Sequence, residues 1–273
     1  MADIHPSAVV AESARLADDV VVGPQAVIGA EVTLGHGCLV GSACLIEGPS
    51  EFGADNVFYG HCSVGSASQD KKYRQRGLLR VGAGNVFREF TTINRGTGAE
   101  DETVIGNGNL FLAYVHVAHD CLIADNCVFA NCVQLGGHVQ VGARATLGGM
   151  AAVHQHCRIG SLAMIGAGTI VRTDVPPYAK CTVAMAGQSV SVNDIGMRRA
   201  GMDDAQIGAV RSAWRLLYRQ NLTLDAATDQ IGKLADDCEC LQVLAGFLAK
   251  IKEQGRGIVR PRRGNSGKAK DKP

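Results

Sequence analysis

Two neighbouring residues, His119 and Asp120, have the types and spacing that acid–base catalysis needs. A neutral histidine can take a proton near neutral pH, and an adjacent carboxylate can fix its tautomer and stabilise the imidazolium. His138 and His154 follow nineteen and thirty-five residues after His119. Three histidines could instead hold zinc, or they could form a purely structural ridge. No Ser or Cys stands out as a nucleophile beside them, which favours direct attack by a substrate hydroxyl.

A six-residue period predicts the element that positions these residues. Apolar residues recur in steps of six over residues 4–64, and after a slip across 66–80 the period resumes over 81–171, where Ala99 is a weak member. Neither an isolated helix nor an isolated strand gives this period, whereas a hexapeptide β-helix does. We therefore expect a triangular coil of short parallel strands with about eighteen residues per turn. The small residue after each aliphatic one is expected to turn the corner. The histidine sites then stack on neighbouring coils along one side.

Cysteines occupy a second inward position of the repeat, two residues before the next aliphatic residue, where only a small side chain fits. The six that fall there are Cys38, Cys44, Cys62, Cys121, Cys127 and Cys157. Buried free cysteine behaves as a small hydrophobe. We therefore expect no disulfide framework and a reducing, cytoplasmic location.

The period divides the chain into a β-helix domain, a helical domain and a tail. We expect the β-helix over 1–180, with inserted loops at 66–80 and 96–104, because Pro176 and Pro177 cannot donate ladder hydrogen bonds. Helical spacing of apolar residues predicts an α-helical C-terminal domain over 191–260 that covers the open end of the coil. The stretch 261–273 is basic and rich in Gly, Pro and Lys, and we expect it to be disordered.

Two short patterns mark the expected starts of helices. Ser191 with Asp194, and Asp203 with Gln206, have the spacing of capping boxes. Further helices are expected at roughly 223–236 and 239–253.

Composition excludes several classes of protein. The chain has 273 residues, of which 46% are hydrophobic and 19% charged, with a net charge of +1. These values are typical of a soluble globular protein, and they give no global field to attract nucleic acid or a membrane surface. There is no apolar run long enough for a transmembrane segment, and the first residues do not resemble a secretory signal. The loop at 69–76 mixes one acid with four bases, which suits an acidic or phosphorylated partner or a solvated surface.

Several motifs, in this order, resemble those of the UDP-N-acetylglucosamine O-acyltransferases of lipid A biosynthesis. Besides the hexapeptide run and the helical C-terminus, they are Gln69-Asp70-Lys71-Lys72-Tyr73, Ile93-Asn94-Arg95-Gly96-Thr97, Val117-Ala118-His119-Asp120-Cys121, Gly149-Met150-Ala151-Ala152-Val153-His154-Gln155 and Asp174-Val175-Pro176-Pro177-Tyr178. The resemblance covers roughly residues 4–260, and it implies a left-handed parallel β-helix.

The resemblance also implies a reaction and roles for individual residues. The family moves an (R)-3-hydroxyacyl chain from acyl carrier protein to the 3-hydroxyl of UDP-N-acetylglucosamine, as a homotrimer with clefts between subunits. His119 would be the general base, Asp120 would orient it, and the N–H of Gly137 would stabilise the oxyanion. Substrate contacts would come from Asp70, Lys72, His116, His138, His154, Gln155, Asn193 and Arg199. No metal and no cofactor are expected.

Three alternatives remain. The nearest is a related hexapeptide acyltransferase that N-acylates another UDP-amino sugar. The companion N-acyltransferase of the same pathway carries a large N-terminal domain before its coils, whereas the hexads here begin at Ile4. The companion enzyme also lacks the loop motif found here at 69–73. A zinc enzyme of the γ-carbonic anhydrase type and a non-enzymatic scaffold are the others. Asn94 and the segments 183–186 and 197–202 depart from the family pattern, and they lie where the nucleotide is expected to bind.

Overall fold

The described part of the chain forms many very short strands and, towards its C-terminal end, four helices. The computed structural model describes residues 1–71, 76–184, 187–236, 238–254 and 257–263. The strands are β1 (Asp3–Ile4), β2 (Val9–Val10), β3 (Arg15–Leu16), β4 (Val21–Val22), β5 (Val27–Ile28), β6 (Val32–Leu34), β7 (Leu39–Val40), β8 (Leu45–Ile46), β9 (Ser50–Phe52), β10 (Val57–Phe58), β11 (Ser63–Ser66), β12 (Leu78–Val81), β13 (Val86–Phe87), β14 (Thr92–Asn94), β15 (Glu102–Ile105), β16 (Leu110–Phe111), β17 (His116–Val117), β18 (Leu122–Ile123), β19 (Val128–Phe129), β20 (Gln134–Leu135), β21 (Gln140–Val141), β22 (Thr146–Leu147), β23 (Ala152–Val153), β24 (Arg158–Ile159), β25 (Met164–Ile165), β26 (Ile170–Val171), β27 (Ala179–Ala184), β28 (Gly187–Val192) and β29 (Arg262–Arg263). The helices are α1 (Asp194–Arg199), α2 (Asp204–Tyr218), α3 (Leu224–Leu234) and α4 (Glu239–Gln254).

Three sheets wrap around one core. Sheet A begins with β1, β4 and β7, sheet B with β2, β5 and β8, and sheet C with β3, β6 and β9. Each continues in steps of three strands, as far as β25, β26 and β24 respectively. Pairing within these series is parallel and in register, so that every third strand lies one coil further along. The expected parallel β-helix is therefore present. We name its turns the A–B, B–C and C–A corners after the sheets that they join.

The residues of the six-residue period fill the core. Four phenylalanines from successive coils of sheet A stack face to face, with ring centroids 4.9, 5.0 and 4.8 Å apart; they are Phe58, Phe87, Phe111 and Phe129. The six cysteines of the second inward position are all buried, and every cysteine of the chain is a free thiol. Close packing of these two inward positions holds the coils together.

Glycines at the corners have a different role from the one expected. The left-handed backbone conformation falls three residues after the aliphatic residue, as at Asp55 and Asn126, both with φ of 58°. The glycine directly after the aliphatic residue is needed because the next coil passes so close. A Cβ on Gly35 would lie 2.7 Å from the backbone of Gly53. The expectation that this small residue turns the corner is wrong, and the close spacing of successive coils explains why glycine recurs at this position.

The C-terminal region packs on the last coils. β27 and β28 form an antiparallel hairpin that the sequence did not predict, and β29 pairs with β28. Tyr218 and Trp214 of α2 pack against the core of the β-helix, so the helices cover its end as expected. Arg262 and Arg263, expected in the tail, thus form a strand, and residues 264–273 lie outside the described part of the chain.

One of the two expected helix caps is present. The side chain of Asp203 and that of Gln206 form a reciprocal capping box at the start of α2. The expected box at Ser191 and Asp194 is wrong, because α1 begins at Asp194 and the side chain of Asn193 accepts the N–H of Gly196 at 3.1 Å. Among the described residues, no helix is both long and apolar enough to cross a membrane.

Candidate active site

His119 and Asp120 lie at the B–C corner, in the turn that links β17 to β18. Both inserted loops leave the β-helix at this same corner. One lies between β11 and β12, and the other lies between β14 and β15. Segments that are far apart in the sequence therefore meet beside His119, and the corner is the only place where the repeat is interrupted in the described part of the helix.

Successive coils place Asp120, His138 and His156 at one equivalent position, eighteen residues apart. All three have left-handed backbone conformations, with φ of 59°, 59° and 63°, and Asp and His are among the residues enriched in that region. The rings of His138 and His156 stack with centroids 4.5 Å apart. His156 was missed from the sequence, although its spacing of one full coil from His138 could have found it.

Hydrogen bonds tie His119 to a buried carboxylate. His119 Nδ1 lies 2.6 Å from Asp120 Oδ2, and the exposed fractions of the two side chains are 11% and 7%. The N–H and hydroxyl of Thr97 donate to the two oxygens of Asp120 at 2.9 and 2.7 Å. Since Nδ1 faces the carboxylate, it carries the proton in the neutral ring, and Nε2 is left as the basic nitrogen.

Electrostatics keep the carboxylate charged and one nearby histidine neutral. Burial alone would raise the pKa of Asp120, but hydrogen bonds from His119 and Thr97 and the charge of His138 outweigh it, so the pKa is held below its usual value. Burial, and then the charge of His119, lowers the pKa of His116. His116 is therefore neutral at pH 7, and its Nδ1 lies 2.8 Å from the Thr92 hydroxyl.

The ring of His119 lies directly over Gly137 of the next coil. A Cβ at that position would be 2.5 Å from Cε1 and 2.7 Å from Nε2 of the ring. The absence of a side chain at Gly137 is therefore what lets His119 hold its position. Among the described residues, the N–H of Gly137 has no hydrogen-bond partner, so it is available to a ligand beside Nε2.

Comparisons with known proteins agree on one family. A family model for domain 2 of UDP N-acetylglucosamine O-acyltransferase matches residues 174–259, and one for bacterial transferase hexapeptide repeats matches residues 102–137. A Stenotrophomonas maltophilia protein named acyl-[acyl-carrier-protein]–UDP-N-acetylglucosamine O-acyltransferase is 44% identical over 247 residues, which cover 90% of this chain and 94% of that protein. A protein of the same name from Xanthomonas euvesicatoria pv. vesicatoria is 45% identical and covers 94% of this chain and 97% of its own length.

Solved structures give the same result. The crystal structure of UDP-N-acetylglucosamine O-acyltransferase from Moraxella catarrhalis has a TM-score of 0.89 at 35% identity, and the match covers 94% of this chain and 99% of that one. The Francisella novicida UDP-N-acetylglucosamine acyltransferase has a TM-score of 0.88 at 33% identity and covers 94% of both chains. The chain belongs to the UDP-N-acetylglucosamine O-acyltransferase family.

The fold class is thereby confirmed as a left-handed parallel β-helix followed by helices, and the protein is an acyltransferase. In this acyltransferase the first inserted loop brings Asp70 to the site, with Oδ2 at 4.0 Å from His119 Nε2. Lys72 lies outside the described residues. His154 and Gln155 are exposed at the same corner one coil beyond Gly137, and Nδ1 of His154 lies 3.1 Å from the carbonyl oxygen of Gln155.

Asn193 and Arg199 are not beside His119 in one chain of the acyltransferase. They line a cleft of about 770 Å³ formed by sheet A, the C–A corner and α1. Arg144 and Lys180 line it too, which makes it cationic. Asn193 Nδ2 also donates to the carbonyl of Leu162 at 2.8 Å. The predicted residues therefore fall into two groups, on two different edges of the triangular prism.

The sequence left open the hypothesis that the histidines of this site bind a metal ion. His119, Asp120 and His138 each offer a ligand atom within 4.8 Å of the others. However, the oxygens of Asp120 already accept from His119 and from Thr97. Both oxygens of the carboxylate are therefore already engaged, which leaves it little ligand capacity for zinc, whose sites need three or four protein donors.

Two hydroxyl residues of the acyltransferase site were missed from the sequence. Thr97 bridges His119 and Asp120, and Ser68 Oγ lies 3.0 Å from Thr97 Oγ1. Both belong to the inserted loops, where the repeat gives no register. Their positions depend on how the loops fold back over the corner, and no local pattern signals it.

Proposed function

We propose that the protein transfers a 3-hydroxyacyl chain from the thioester of acyl carrier protein to the 3-hydroxyl of UDP-N-acetylglucosamine, the first step of lipid A biosynthesis. The names of the relatives indicate O-acylation of UDP-N-acetylglucosamine with acyl carrier protein as the donor. The 3-hydroxyacyl chain, the 3-hydroxyl and the place in lipid A biosynthesis are what the family resemblance implies. The observation that carries its mechanism is the contact between His119 Nδ1 and the buried Asp120, which leaves Nε2 as the basic nitrogen beside Gly137. The N–H of Gly137 has no hydrogen-bond partner among the described residues.

In the proposed mechanism, Nε2 of His119 takes the proton of the sugar hydroxyl while its oxygen attacks the thioester carbonyl. The carbonyl oxygen becomes an oxyanion and accepts a hydrogen bond from the N–H of Gly137. The intermediate then collapses, the carbon–sulfur bond breaks, and the thiolate of the carrier takes the proton from the imidazolium. Asp120 stabilises that imidazolium, and its lowered pKa keeps it charged for this task.

We assign substrate recognition to the side chains around His119, Asp120 and Gly137. Asp70, Lys72, His116, His138, His154 and Gln155 would contact the sugar and the acyl donor at the B–C corner. Asn193 and Arg199 would hold the nucleotide, because the cationic cleft that they line suits a diphosphate.

A homotrimer would bring the two groups of residues together. Large apolar side chains are exposed on sheets A and B and at the A–B corner, including Phe90, Tyr114 and Met150, whose exposed fractions are 43%, 54% and 72%. Sheet C carries exposed ion pairs at the same level, between Arg80 and two glutamates. We infer that sheets A and B pack between subunits, so that the His119 corner of one subunit meets the Arg199 cleft of the next.

The free, mostly buried cysteines support a cytoplasmic location.

The decisive experiment compares His119→Ala with His36→Ala, since His36 also contacts an aspartate but lies at the C–A corner. We expect His119→Ala to lose at least about 10²-fold in kcat and to stay folded, with no change for His36→Ala. More than a few per cent residual activity would exclude the general base. Stoichiometric zinc that is lost with His119 would instead support a metal enzyme.

The acceptor is tested separately. Mass spectrometry of products from UDP-N-acetylglucosamine and from its 3-amino analogue distinguishes an ester from an amide. We expect the ester with the hydroxyl sugar. Turnover of the amino analogue alone would favour the related N-acyltransferase.

A further inference from the structure

A second cleft lies between sheet C and α4. It has a volume of about 510 Å³, which is in the range of small-molecule sites. None of the residues assigned to acyl transfer lines it. A ligand bound in this cleft is therefore independent of the proposed acyl transfer.

The floor of the cleft is a ladder of outward side chains on four adjacent strands of sheet C. The register places Val104, Leu122, Gln140 and Arg158 in line, one strand apart. Three strand spacings give the ladder a length of roughly 14 Å. It is apolar at Val104 and Leu122, where Leu122 is 45% exposed, and cationic at Arg158.

One face of α4 forms the wall. Its residues that line the cleft recur at helical spacing; they are Gln242, Val243, Gly246, Phe247 and Lys250. Val243 and Phe247 supply apolar contact, and Lys250 adds a second positive charge. Among the described residues that line the cleft there is no Asp or Glu.

Arg158 is the observation that points to a ligand. Its side chain is only 8% exposed, and its Nη1 has no hydrogen-bond partner within the described part of the chain. Asp174 accepts the backbone N–H of Arg158 at 2.8 Å. A buried guanidinium nitrogen that lacks a hydrogen bond is unfavourable, and an anion bound in the cleft would satisfy it.

We propose that this cleft binds an amphiphilic anion, an aliphatic chain that ends in a carboxylate or a phosphate. The head group pairs with Arg158 and Lys250, and the chain lies along Leu122 and Val104 beneath Phe247. Charge, shape and the polarity of the ladder all favour one orientation.

The test measures binding of decanoate and decyl phosphate, below their micelle concentrations, to the full-length protein by calorimetry. Arg158→Met and Lys250→Ala are compared with Arg15→Met, a matched substitution on β3 of the same sheet, where the side chain is exposed. We expect saturable binding that weakens roughly tenfold to hundredfold in Arg158→Met and Lys250→Ala, since hydrogen bonds to charged groups contribute about that much, and that is unchanged in Arg15→Met.

Thermal shift gives an independent readout. The ligand should raise the melting temperature of the wild type and of Arg15→Met, and this shift should shrink in Arg158→Met. Arg158→Met replaces a buried guanidinium whose Nη1 lacks a hydrogen bond with an apolar side chain of similar length, so the variant without ligand should melt close to the wild type.

Three outcomes overturn the proposal. One is an isotherm that Arg158→Met and Lys250→Ala leave unchanged, which would place the ligand elsewhere, including the acyl-donor site. Another is equally tight binding of decanol, which would show that charge plays no part. The third is binding to vesicles of phosphatidylglycerol but not to the monomeric anions, which would identify a membrane-contact surface instead.

Discussion

Substitution of Gly137 by Ala tests how strictly the site holds its base. The added Cβ would lie 2.5 Å from Cε1 and 2.7 Å from Nε2 of His119. Ordinary contacts begin near 3.4 Å, so the ring has to move by about 1 Å, and a misplacement of that size can cost about 10²-fold in rate. That loss corresponds to about 2.7 kcal/mol of activation free energy. Alanine keeps the N–H, so the loss reports the position of His119, the proposed base, rather than the loss of the proposed oxyanion donor.

The assay is steady-state kinetics with acyl carrier protein as the donor. Gly208→Ala in α2 is the control, because a Cβ there meets no heavy atom of the described residues within 4 Å. We expect kcat to fall for Gly137→Ala alone, with KM for the nucleotide and the melting temperature little changed. A Gly137→Ala enzyme with wild-type kcat would refute the reasoning that His119 must lie where the structure has it.

Three further predictions concern the carboxylate, its hydroxyl donor and the core. Asp120→Asn should lower kcat on the order of 10²–10⁴-fold. Because the pKa of folded Asp120 lies below its unfolded value of 3.8, its stabilising effect is full well above that value and is lost as pH falls through the lowered pKa. The melting temperatures of the two proteins should therefore converge only below about pH 4. Thr97→Ala should lower kcat roughly tenfold or more, because the hydroxyl that donates to Asp120 is lost. Thr97→Ser keeps that hydroxyl and should restore kcat, and equal losses in both variants would contradict this role. Phe111→Ala should lower the free energy of unfolding by about 3–5 kcal/mol at fixed protein concentration, because the ring is fully buried between two others, and a loss below about 1 kcal/mol would contradict that packing.

The fold could be predicted because its rule is local. Each aliphatic residue of the period, such as Ile28 or Leu147, faces inward whatever happens far away, and both are buried. The same phase placed His119 and Asp120 at a corner. The hairpin of β27 and β28 escaped prediction because its strands follow the end of the period, where no repeat sets the register.

Contacts at the site could be predicted only in part. The spacing of eighteen brought Asp120 and His138 together, and Nε2 of His138 lies 3.5 Å from Oδ2 of Asp120. Thr97 and Ser68 escaped prediction because they lie in insertions, which obey no period. The helix cap was assigned to Ser191 rather than to Asn193, because both lie within three residues of Asp194, where α1 begins, and only the backbone geometry distinguishes them.

The sequence by itself determined that the chain coils every eighteen residues and that a histidine with a carboxylate stands on its outer edge. The tertiary structure alone decided that both insertions leave at that same edge, that Gly137 makes room for the ring of His119, and that Arg199 lies on another edge. The physical reason is the distance along the sequence over which the deciding interactions act. Inward and outward positions follow from the six-residue step within one strand, whereas these contacts depend on how whole coils, loops and helices stack.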